Sequence, residues 1–162
     1  MDNKKILLVE DMEEKANAII AYLKEAFPGI EVVRRESYNS SQKEIYEHHK
    51  DYFVILLDMS MHTFDRSKEE SGGEPEPVAG RKILNGMYLR DIGTKVIVVT
   101  MYGSHEGKKL LTFVNDLKEE YPDNYSDYVF FSFQKNDWKE KLKQQILHLL
   151  VSIQPLFWRF EQ

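Results

Sequence analysis

The chain has no cysteine among its 162 residues. Disulfides, thiol nucleophiles and zinc–thiolate centres are therefore excluded. It also lacks any apolar run near the ~20 residues that a membrane-spanning helix requires. Its opening, Met1-Asp2-Asn3-Lys4-Lys5, leads into a strand-like stretch without a signal-sequence pattern. The expected compartment is the cytoplasm. A basic surplus is missing as well: 22 Lys and Arg stand against 27 Asp and Glu, a net charge of −5, which offers no general attraction to nucleic acid or an anionic membrane. The 8 glycines form no phosphate-cradling loop, since Ser71-Gly72-Gly73 neither follows a strand directly nor has P-loop spacing. His48, His49, His62, His105 and His148 share no metal-ligand spacing and read as surface or helix-face residues.

What is present is ordinary globular material, 42% apolar and 30% charged. It suffices for one domain with a sizeable core. A single domain over 1–162, with its core over 4–153, is expected. Ile6-Leu7-Leu8-Val9 reads as a buried strand. Residues 12–27 then place Ala16, Ile19, Ile20, Leu23, Ala26 and Phe27 on one helical face, and Pro28-Gly29 stops the helix. Ile30 to Arg34 reads as a second strand, Ser40 to His49 as a second helix and Phe53 to Leu57 as a third strand. Residues 62–79 are polar and rich in breakers, and are expected to form a mobile insertion loop. Gly80, Ile83, Leu84 and Met87 restore helical spacing, and Lys95 to Val99 predicts a fourth strand ending at Thr100. A long helix with Leu110, Leu111, Phe113, Val114 and Leu117 on its apolar face is expected next, broken by Tyr121-Pro122-Asp123-Asn124. Tyr128 to Phe133 reads as the fifth strand, ending just before Lys135. The last helix carries Trp138, Leu142, Ile146, Leu149, Leu150 and Ile153, and an aromatic tail over 154–162 is expected to cover the core edge.

Five strands alternating with five helices predict an α/β fold: a five-stranded doubly wound parallel sheet with helices on both faces. Such sheets bind ligands at the carboxyl edge. Glu10-Asp11, Asp58, Thr100 and Lys135 all stand at or just past strand carboxyl ends in this reading. Singly, Glu10-Asp11 would be acids favoured by a helix dipole and Asp58 a turn or cap residue. Their alignment across four strands favours one shared site. Three carboxylates gathered there repel one another unless a proton or a cation intervenes, and a hard, oxygen-loving ion such as Mg2+ is the expected cofactor.

This ordered set resembles the receiver domain of two-component response regulators over roughly residues 4–153. The resemblance is carried by Glu10-Asp11, by Asp58 with Met61 three places on, by Gly80 with Ile83 and Leu84, and by Thr100 and Lys135. It implies a flavodoxin-like receiver fold in which Asp58 accepts a phosphoryl group from a sensor histidine kinase or a histidine phosphotransfer protein. It further implies that Glu10, Asp11, Asp58 and the Ser60 main-chain carbonyl hold Mg2+, while Thr100 and Lys135 bind phosphoryl oxygens. Output would pass to a downstream protein target, without direct nucleic-acid contact or membrane insertion, and a homodimer is allowed. No enzymatic turnover beyond self-phosphorylation and self-dephosphorylation is implied. Ser60 and Tyr102 would border the path of the attacking water, and neither offers a group that orients water well.

The chain departs from the family pattern at His62, Met101 and Asn136, and Ser132 stands where a switch aromatic is usual. These departures motivate a rival reading, a degenerate receiver that binds a partner constitutively and never takes a phosphoryl group. A phosphatase-type hydrolase using Asp58 as nucleophile is disfavoured, because position 60 is serine and no second acid lies two residues on to act as general acid.

Overall fold

Runs of Ile, Leu and Val suit strands covered on both faces. In a computed structural model, which describes residues 4–62, 75–76, 78–105 and 107–153, such runs form the sheet. The elements in chain order are β1 (Lys5–Val9), α1 (Glu13–Ala26), β2 (Val32–Arg35), α2 (Tyr38–His48), β3 (Tyr52–Leu57), β4 (Met61–His62) and β5 (Pro75–Glu76). They continue with α3 (Ala79–Leu89), β6 (Lys95–Thr100), β7 (Ser104–His105), β8 (Lys108–Lys109), α4 (Leu110–Glu120), β9 (Tyr125–Phe130) and α5 (Asp137–Ser152). The main sheet has the order β2-β1-β3-β6-β9 with every pairing parallel, as the alternation of elements predicts. The order reverses direction between β1 and β3, the point at which a doubly wound sheet opens a crevice.

Side chains alternate across a strand, so each strand feeds two cores. Leu7, Val9, Ile55, Leu57, Val96 and Val98 pack with residues of α2, α3 and α4. Ile6, Leu8, Val54, Leu56, Ile97 and Val99 pack with α1 and α5 on the other face. Helix α1 buries Ala16, Ile19 and Leu23, and also Lys15.

Several boundaries differ from the sequence reading. Helix α2 starts two residues earlier than expected, because Ser37 and Ser40 form a reciprocal capping box before it. The small hairpins β4–β5 and β7–β8 were not foreseen; β4 straddles the start of the expected insertion and β5 lies within it, and its residues 63–74 and 77 fall outside the described residues, as does the tail from 154. Leu111, assigned to a core face, is 62% exposed. The fifth strand begins at Tyr125 and ends at Phe130, three residues before the predicted span. Its start is fixed by Asn124, whose Nδ2 donates to the carbonyls of Ile92 at 2.6 Å and Thr94 at 3.1 Å. Among the described residues, no helix is long and apolar enough to cross a membrane.

Candidate functional site

The carboxyl ends of β1 and β3 are adjacent, Val9 pairing with Leu57, so the residues that follow them share the crevice. Glu10 and Asp58 are both buried there and Asp11 is half-buried. One carboxylate oxygen from each of Glu10, Asp11 and Asp58 lies within 4.8 Å of the others. They line a cleft of about 430 Å3 together with Lys15, Ser60, Met101 and Tyr102.

The backbone fixes the acids tightly. Asp58 N–H donates to the Val9 carbonyl at 3.0 Å, and Glu10 N–H donates to the Arg35 carbonyl at 3.1 Å. Met59 N–H donates to Asp58 Oδ1 at 3.0 Å, and Met12 N–H donates to Glu10 Oε2 at 3.1 Å. The remaining oxygen of Glu10 faces Lys15, whose Nζ stands 2.6 Å from Glu10 Oε1 and 3.5 Å from Asp58 Oδ1. Lys15 Nζ also donates to the Val99 carbonyl at 2.7 Å. This buried ammonium is the site residue that strand-end reasoning missed.

Burial pushes the Asp58 carboxyl up to about 8; the Lys15 ammonium pulls it down, and Glu10 and Asp11 push it further up. Glu10 is raised for the same reason, burial outweighing the Lys15 charge and the Met12 N–H. Ionising all three acids is therefore costly despite Lys15, and a cation lowers that cost. The donors suit magnesium, which takes carboxylate oxygens and keeps several waters.

Thr100 and Lys135 are placed differently from each other. Thr100 is fully buried at the end of β6. Its Oγ1 is bonded to His105 Nε2 at 2.8 Å and accepts from Tyr102 N–H at 3.1 Å. His105 is thus drawn into the site's surroundings, against the expectation that it is a surface or helix-face residue; its ring stacks tilted on Phe113 with centroids 5.0 Å apart. Lys135 is exposed, five residues beyond the end of β9, and lines a separate hollow with Tyr128, Phe130 and Trp138. The earlier end of β9 explains this: the residues between are a loop in which Ser132 Oγ accepts from the Gln134 and Lys135 N–H groups. Met101 is partly buried against the α1/α5 core and Tyr102 is 51% exposed at the cleft mouth. The side chain of His62 lies outside the described residues.

No family model matches the chain. It is 30% identical over 151 residues to the Detocs response regulatory protein DtcB of Enterobacter cloacae (strain JD6301), covering 90% of this chain and 99% of that protein. It is 28% identical over 152 residues to the uncharacterized protein y4jR of Sinorhizobium fredii (strain NBRC 101917 / NGR234), covering 90% and 98%. Among solved structures it is similar to the receiver domain of the Francisella response regulator 1452, with a TM-score of 0.65, 20% identity, and 94% and 100% of the two chains covered. The phosphorylated cyanobacterial phytochrome response regulator RcpA has a TM-score of 0.62 at 18% identity over 94% and 98%. The structural likenesses establish a receiver fold, and the identity to a response regulatory protein along nearly its whole length establishes that this chain belongs to the response regulator family.

Proposed function

We propose that the chain is a cytoplasmic phospho-acceptor receiver in a two-component or phosphorelay pathway, and that Asp58 takes the phosphoryl group. The observation that carries this is the place of Asp58 at the end of β3, walled into a cleft with Glu10 and Asp11. An ionised carboxylate attacks phosphorus without prior deprotonation and yields an acyl phosphate. The donor is a phosphohistidine on a kinase or phosphotransfer partner, and the product signals through protein contacts. When bound, Mg2+ supplies positive charge for the oxygens of the transferring group. Glu10 and Asp11 would hold it with Asp58 and the Ser60 main-chain carbonyl. The Met59 N–H fixes one oxygen of Asp58, which leaves the other to attack. Thr100 and Lys135 are the proposed phosphoryl ligands; Thr100 must exchange its His105 bond and Lys135 must swing in from its exposed position.

The test is to incubate the protein with acetyl phosphate and Mg2+ and weigh it intact. The wild type is expected to gain one phosphoryl mass, and Asp58→Asn none. A second reading, a degenerate receiver with constitutive contacts, is favoured by the ion pairing of Asp58 with Lys15 and by the outlying Lys135. A wild type that gains no mass establishes that reading instead.

A further inference from the structure

If all three carboxyls ionise, the single ammonium leaves the cleft two net negative charges, the complement of a divalent ion. Lys15 holds the same groups that such an ion needs: its Nζ is 2.6 Å from Glu10 Oε1 and 3.5 Å from Asp58 Oδ1. The side chain is 2% exposed, so water screens little of its charge. Its third partner, the Val99 carbonyl, belongs to β6 and anchors the ammonium beside the acids instead of letting it snorkel out. A metal entering the cleft meets this charge whether it displaces the ammonium or binds the oxygens that Lys15 leaves free.

We propose that Lys15 is the resident cation of the cleft, standing in for a divalent ion while none is bound and competing with it for Glu10 and Asp58. The proposal rests on the reading of this cleft as a metal-dependent phospho-acceptor site. It makes Lys15 a determinant of metal affinity, with the acids charge-compensated by the ammonium at low Mg2+. The same contact helps position Asp58: Lys15 and the Met59 N–H both engage Oδ1, which leaves the other oxygen outside the ammonium's reach.

Calorimetric titration with MgCl2 alone, without phosphodonor, tests the competition in wild type and Lys15→Met. Removing one buried positive charge at this range should tighten Mg2+ binding about tenfold or more. Thermal melts with increasing MgCl2 separate this from a merely structural role. Competition predicts that Mg2+ raises the melting temperature of Lys15→Met more than that of the wild type, whereas a structural role lowers the variant's curve equally at every concentration. Should the variant not fold, the wild type still decides. In an NMR titration with MgCl2, the Lys15 Cε methylene signals must move with the same midpoint as the Asp11 and Asp58 amides. Unmoved Lys15 signals, or unchanged Mg2+ affinity in a folded Lys15→Met, overturn the proposal. None of these readouts uses phosphoryl transfer, so a wild type that forms the adduct while Lys15→Met keeps its Mg2+ affinity refutes the role of Lys15 alone. Absence of the adduct alongside a tighter-binding variant refutes the phospho-acceptor reading alone.

Discussion

An ammonium in the first turn of a helix works against the helix dipole, which favours acids there. Lys15 tolerates that position because two carboxylates and a carbonyl surround its Nζ. This is also where a trace was left in the sequence: a lysine one residue before Ala16 and four before Ile19 falls on the apolar stripe of α1, where a solvated charge does not belong. The acids were legible because each follows an uninterrupted apolar strand. Lys135 was not legible in the same way, since its place depends on where β9 ends and on how the loop after it folds. Exposed and outside the cleft, Lys135 is expected to contribute little to the resting fold. Lys135→Ala should change stability by no more than about 0.5 kcal/mol in urea denaturation, while lowering the yield of phosphoryl adduct if the side chain swings in to hold the product.

Element by element, the strong apolar periods located β1, α1, β3 and β6 to within a residue or two, because burial on one or both faces wrote them into composition. β9 was displaced because Tyr128 to Phe133 is locally the more apolar stretch, yet Phe130 is 46% and Phe133 is 52% exposed. What sets the strand is the Asn124 side chain reaching carbonyls about thirty positions back, which no local window contains. Helix α3 offers a prediction at this scale. A Cβ on Gly80 would stand 2.6 Å from Met59 Sδ and 2.8 Å from Met59 Cα. The sulfur can move, but the Cα belongs to the segment following Asp58, and Gly80 N–H is bonded to the Met59 carbonyl at 3.0 Å. Alanine gains up to about 1 kcal/mol of helix propensity over glycine; overpacking against backbone costs about 1–3 kcal/mol. Gly80→Ala should therefore destabilise on balance, and should perturb the Asp58 amide in an NMR spectrum. A neutral variant with an unmoved Asp58 resonance would show that the two segments separate freely.

For the whole molecule, the parallel sheet between two helical layers was readable from the alternation of strands and helices, and its order then brings the ends of β1 and β3 together. Both cores depend on central strands; Ile97 is fully buried against the α1/α5 side. Ile97→Ala should cost about 2–5 kcal/mol, read as a lower urea midpoint with the slope unchanged. The reach of the Lys15 ammonium has a kinetic consequence. Its contacts close chain separations of 43 residues to Asp58 and 84 to Val99, so they form only when β1, β3 and β6 already lie side by side. Interactions made after the folding barrier slow unfolding and leave the folding rate nearly untouched. In stopped-flow chevrons, Lys15→Met should steepen neither limb but lift the unfolding limb alone. The buried ammonium then acts as a latch on the lifetime of the native state and takes no part in reaching it.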